Sequence, residues 1–134
     1  MALQFSDRCR NAAGDAIETT IGAAPTLRIR SGSIPANTAA ARTGTVLATL
    51  VLPSDFLSNA SAGLKALLGT WQDSAADAAG TAGYFDITGT GSVVDIQGDV
   101  TGTGGGGDME IQNTSIAVGQ QITVTAFDIQ IGGA

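Results

Sequence analysis

The chain has 134 residues, a net charge of −6 and few charged side chains, 13% against 43% hydrophobic. That length sets one domain with room for a real core, and the low charge excludes a disordered chain. The acidic balance excludes a phosphate-neutralising nucleic-acid surface. The absence of histidine excludes imidazole-based nucleophilic catalysis and Cys/His zinc sites.

Residues Phe5 to Ile21 read as the one helix. Apolar side chains at Phe5, Cys9, Ala12, Ala13, Ala16, Ile17 and Ile21 recur with helical period. Ser6 is the expected N-cap and Gly22 the expected stop. Large residues stand only at the ends of the stripe, so the helix is expected to be weakly anchored. Two readings stay open: an arm that lies on a partner, or a helix that covers one end of its own domain. The chain accordingly divides into an N-terminal helix or arm over 1–24 and a β domain over 25–134.

From Thr26 the period changes to two, with Leu27 and Ile29 alternating with Arg28 and Arg30. Val46 to Leu52 is nearly continuous apolar sequence, as in a strand buried on both faces, and Pro53-Ser54-Asp55 ends it. A short strand covers Leu64 to Leu68, with Lys65 expected to point outward. Tyr84 to Thr88 alternates with Phe85 and Ile87 inward. Val94, Ile96, Gly98 and Val100 share one face opposite Asp95, Gln97 and Asp99. Met109 and Ile111 alternate with Asp108, Glu110 and Gln112. The last strand, about Gln120 to Ile131, changes phase between Ala126 and Phe127. A β-bulge produces such a slip, and so does pairing of the second half with a different sheet or subunit.

Seven or eight short strands after one helix predict a mainly β fold, an antiparallel β-sandwich or jelly roll with a short N-terminal helix or arm. Charge is uneven along it. Residues 1–42 carry five arginines against three acids, net +2, and residues 43–134 carry Lys65 against nine acids, net −8. Such a dipole either steers assembly between copies or neutralises itself within one.

Motifs with chemical potential are sparse. The run Gly102 to Gly107 matches G-x-G-x-x-G, but a strand follows it where a dinucleotide site needs a helix, so a hairpin loop is expected. Asp95 with Asp99, and Asp108 with Glu110, are acid pairs at outward strand positions, read as solvated faces. Their spacing fits no calcium loop. Trp71, Tyr84, Phe56 and Phe127 are read as core or rim packing ahead of a sugar-binding platform. The sequons at Asn59 and Asn113 are read as chance, because residues 1–10 hold no apolar signal core. Neither a cofactor nor a catalytic residue is expected, and the chain is read as a non-enzyme. No stretch reaches the roughly 18 apolar residues of a membrane helix, so no membrane partner is expected. The lone Cys9 cannot form an internal disulfide, which fits an intracellular or virion origin.

The order of segments carries a resemblance. It lies in Asp15-Ala-Ile-Glu-Thr-Thr-Ile-Gly22, Leu27-Arg-Ile-Arg-Ser-Gly32, Pro35-Ala36-Asn37, Gly44-Thr-Val-Leu-Ala48 and Leu52-Pro-Ser-Asp55. Gly80-Thr-Ala-Gly-Tyr-Phe85, Gly106-Gly-Asp-Met109, Asn113-Thr-Ser-Ile116 and the Thr-rich final strand continue it. In this pattern the chain resembles the capsid decoration (cement) proteins of tailed bacteriophages, which have jelly-roll folds. The resemblance spans nearly the whole chain and transfers no catalytic residue. It implies a structural protein made in the bacterial host cytoplasm and located on the capsid surface of the virion. The implied partners are the major capsid protein and further copies of the chain itself. A glycan-binding host-attachment module, which exposed Trp71 and Tyr84 would favour, and a head–tail connector or tail component are the alternatives. Arg8, Arg10, Arg28 and Arg30 are the expected polar contacts of the interface, because arginine suits carboxylates there. Phe5 is the expected anchor of the arm.

Overall fold

The computed structural model describes residues 3–134. One helix, α1 (Asp7–Ile21), is followed by nine strands: β1 (Thr26–Ser31), β2 (Val46–Val51), β3 (Leu64–Ala66), β4 (Gln72–Asp73), β5 (Gly80–Thr88), β6 (Val94–Gly102), β7 (Met109–Ile111), β8 (Ser115–Ile116) and β9 (Ile122–Gln130). Seven strands form one curled sheet in the order β2-β1-β5-β6-β7-β9-β3, with β4 added on β9 and β8 on β5. The mainly β expectation holds.

The sheet curls until its far ends meet. On the free edge of β2 the carbonyl of Leu47 accepts from the amides of Asp77 at 2.8 Å and Ala78 at 3.4 Å. The Asp73 carboxylate accepts from the Thr49 amide at 3.0 Å. The segment just after β4 therefore covers an edge that would otherwise be open to other chains.

One pair corrects the antiparallel expectation. β6 and β7 run parallel, with Val100 opposite Met109 and Gly102 opposite Ile111. The glycine-rich run is thus a reversal that returns the chain alongside β6, and no hairpin forms there. Gly104 and Gly106 take φ of +85° and +78°, a region that glycine enters without steric cost. The Glu110 carboxylate accepts from their amides at 3.0 and 3.1 Å. Asp99 and Asp108 clamp the mouth of the loop reciprocally: each carboxylate accepts from the other's amide, at 2.7 and 3.1 Å.

The phase slip in β9 is a bulge. Against β7 the register skips Thr125, and Ile122, Val124 and Phe127 are the buried residues. The two ends of β9 also take different partners on its other side, β4 at Ile122 and Thr123 and β3 from Asp128 to Gln130.

Inside the curl lie Leu27, Ile29, Leu47, Leu50, Ile87 and Ile111, all fully buried. Phe56, Trp71, Phe127 and Phe85 form a chain of rings with centroids 6.2, 5.3 and 5.7 Å apart. Trp71 Nε1 donates to the Leu68 carbonyl at 3.1 Å, which satisfies its one polar group in the core.

Candidate assembly interface

The helix begins and ends where its caps dictate. The Ser6 hydroxyl accepts from the Cys9 amide at 3.2 Å, and Gly22, at φ +90°, donates its amide to the Glu18 carbonyl. The face it buries differs from expectation. Of the apolar stripe, only Ile21 is buried and Ile17 half-buried, while Phe5, Cys9, Ala12, Ala13 and Ala16 are exposed. The buried positions besides Ile21 are Arg10 and Gly14.

Polar side chains hold the helix to the body. Arg10 Nε donates to the Ile131 carbonyl at 3.0 Å and Nη2 to the Ala62 carbonyl at 2.6 Å. Asn11 accepts from the Gly63 amide at 2.8 Å. Lys65, expected to point outward from its strand, is instead 2% exposed beneath the helix. Its ammonium lies 2.7 Å from both Asp15 Oδ1 and Glu18 Oε1. Gly14 makes room for it, since a Cβ there would stand 3.1 Å from Lys65 Cδ. Loss of hydration is the largest single influence on Lys65 and lowers its pKa. The hydrogen bonds and charges of Asp15 and Glu18 together outweigh it and hold the pKa above its ordinary value. The face turned to the body is therefore mixed: Arg10, Gly14 and Glu18 pack there together with Ile17 and Ile21, while the small residues Cys9, Ala12, Ala13 and Ala16 face outward. The helix lies on its own domain, and it is tied there by ionic and hydrogen-bonded contacts.

The five residues expected at an interface separate into two groups. Phe5, 49% exposed, and Arg8 lie outside, and Arg8 has no ion pair among the described residues. Arg28 is half-buried and also unpaired among them. Arg10 and Arg30 are spent internally. Arg30 Nε donates to Asp86 at 2.7 Å.

Asp86 is a residue the alternation of β5 does not reveal. It lies opposite the inward Phe85 and Ile87, yet it is fully buried, because residues 32–45 cross the outer face of the sheet as a strap. Arg42 ties that strap together. Its guanidinium donates to the carbonyls of Asn37 at 3.0 Å and Ala40 at 2.9 Å. It also reaches Gln97 Oε1 at 2.9 Å and stands 3.8 Å from Asp86. The Tyr84 hydroxyl donates to the Thr43 carbonyl at 2.7 Å and accepts from the Thr43 amide at 3.0 Å. The arginines of the basic segment thus partly neutralise their own acidic body.

Of the six aromatic side chains, only Phe5 is exposed. Trp71 and Tyr84 are fully buried, so they form no sugar platform. Among the described residues no three His, Cys, Asp or Glu side chains cluster as metal ligands, and no helix is long and apolar enough to cross a membrane.

Besides Phe5, the exposed large apolar side chains include Leu3, Val51, Val93 and Val118, each more than half exposed. Beside the helix an apolar groove of about 240 Å³ is lined by Phe5, Cys9, Arg10, Ala13, Ile131 and Gly132. Groove and outer helix face form one continuous surface. Comparison with protein-family models gives no match, and neither do the searches of curated proteins and of solved structures.

Proposed function

We propose that this chain is a structural assembly protein whose working surface is its outer helix face, and that it decorates and stabilises a phage capsid by bridging major capsid subunits. The observation that carries the assembly reading is that most of the helix's apolar stripe is left exposed. A surface helix normally buries its apolar stripe and exposes its charges. This one covers only Ile17 and Ile21 of its stripe, spends Arg10 and Glu18 on its own body, and leaves Cys9, Ala12, Ala13 and Ala16 outward, with Phe5 exposed just ahead of it. The small apolar side chains of that face cost little to desolvate, and apolar burial is the main driving force of association. The capsid as the site of assembly rests on the resemblance of the sequence to decoration proteins. Repetition across a lattice would turn modest interfaces into high avidity.

The attachment-module alternative rested on exposed Trp71 and Tyr84, and both are buried. The connector alternative differs in copy number. The test is to add the purified chain to phage particles that lack it and count copies per particle by quantitative mass spectrometry. Saturation on the order of hundreds of copies, as lattice symmetry demands, supports decoration. About a dozen copies would assign a connector or tail component. Absence of particle binding would overturn the capsid reading.

A further inference from the structure

We infer that the outer face of α1 is the seat of a second copy of this chain, packed as an antiparallel helix pair across a two-fold axis. The inference rests on the reading that the chain works by packing against protein chains, and it names the partner of that surface.

The argument is charge complementarity along an unpartnered helix face. Arg8 and Asp15 are seven residues apart, so at about 100° per residue they fall within about 20° of each other on one flank of the stripe. Arg8 has no ion pair among the described residues. Asp15 is 60% exposed although it touches Lys65. The cluster of Lys65, Asp15 and Glu18 holds one cation and two anions, so it keeps a net charge of −1 beside the face. A two-fold axis perpendicular to the helix, placed midway between residues 8 and 15, puts Arg8 of each copy opposite Asp15 of the other. Both charges are met at once, in the self-complementary pattern of a two-fold interface. In a parallel pair the two-fold axis runs along the helices and carries this flank to opposite sides of the contact, so neither charge would be met; charge selects the antiparallel arrangement.

Side-chain size agrees. Ala12 lies next to the axis and Ala16 one turn further along the same face, so the helices can approach to about 8 Å. Phe5, at the end of the stripe and lining the groove, adds the one large apolar contact. One 15-residue helix per partner gives an interface at the small end of the range, of roughly 1,200 Å² or less. The dimer is therefore expected to be in micromolar exchange, and to tighten when many copies are held on a common surface.

The test is sedimentation equilibrium of the full chain from about 1 µM to about 500 µM at moderate salt. The mass is expected to rise from one chain to two. Ala12→Glu sets like charges against each other at the axis and should weaken dimerisation at least about tenfold. Arg8→Glu should do the same and Arg8→Lys should not, and all three should keep the wild-type unfolding midpoint. A Cys9→Ser, Ala12→Cys chain should form an interchain disulfide on mild oxidation. Its two Cα atoms stand about 1.5 Å apart along the axis, and those of Cys9 about 7.5 Å. Should Ala12→Glu fail to fold, the Arg8 variants and the cysteine chain decide. A single-chain mass across the range, or a dimer indifferent to these substitutions, overturns the inference. A monomer that still saturates particles would leave the assembly reading intact. A dimer that binds no particle would leave the inference intact and remove the capsid.

Discussion

Replacing Lys65 by methionine tests whether charge holds the helix on the body. Methionine keeps the unbranched stem that fits over Gly14 and removes only the ammonium. Two contacts of 2.7 Å are lost, to Asp15 and to Glu18. Hydrogen bonds to charged groups contribute about 1.5–3 kcal/mol each. The Asp15 carboxylate is 60% exposed and regains water, so its contact counts for at most about 1 kcal/mol. Glu18 is 19% exposed, so its carboxylate stays largely dry and its loss counts nearly in full. The expected destabilisation is therefore about 2–3 kcal/mol, or roughly 6–12 °C in Tm for a chain of this size. Urea unfolding at neutral pH, followed by the fluorescence of buried Trp71, measures it. Glu18→Gln should cost more than Asp15→Asn, in line with their exposure. The pH dependence gives an independent reading. Because the folded-state pKa of Lys65 is raised, its stabilisation is fully present below the ordinary value of 10.5 and is lost as pH rises through the folded value. The methionine chain should lack that alkaline loss. A cost below about 0.5 kcal/mol, or an unchanged alkaline limb, would refute the account of the helix as ionically anchored.

Acid should loosen the glycine loop. The Asp108 amide, donating to the Asp99 carboxylate, holds the Asp99 pKa below its ordinary value of 3.8. Its stabilisation is present above that value and lost as pH falls through the lower folded-state one. Asp99→Asn should therefore lie below wild type in Tm at neutral pH, and the gap should narrow below about pH 4; a constant gap would refute the assignment. Arg42→Ala should free the strap while Arg30 keeps Asp86 paired. We expect a global cost of about 1–3 kcal/mol and amide exchange over residues 33–45 faster by at least about tenfold. Hydrogen exchange with mass detection reads both. Protection there equal to wild type would show that Arg42 is not the tie.

Much of the fold was legible from alternation and turn chemistry. The seven strands of three or more residues lie close to where apolar patterning put them, and Ser6 and Gly22 bound the helix as its caps. The slip of phase in the last strand marked a bulge within two residues of its place. Strands β4 and β8 were not legible, since two residues carry no period. Gly14, an unfavourable residue inside a helix, was the one overlooked signal. It marks a close approach, and Lys65 is what approaches.

The sequence by itself determined the class of the fold, the sites of its turns and the absence of imidazole chemistry. Those follow from composition and local period, which need no knowledge of neighbours. Only the tertiary structure decided which face of each element is covered. Lys65 was read as outward by alternation, and Asp86 stands opposite two inward residues. Both are buried because distant segments, the helix and the strap, lie over them. The same cause set which side of the helix is covered. Its apolar period is real, but of the stripe only Ile17 and Ile21 are covered, because Arg10, Gly14, Asp15 and Glu18 on that side found Lys65 and free carbonyls on the body. Pairing the buried Lys65 and Arg10 outweighed covering the alanines of the stripe as well, because an unpaired buried charge costs several kcal/mol and an alanine methyl returns about 0.8. Periodicity records that a helix has two faces, and the partners available on the folded body choose between them.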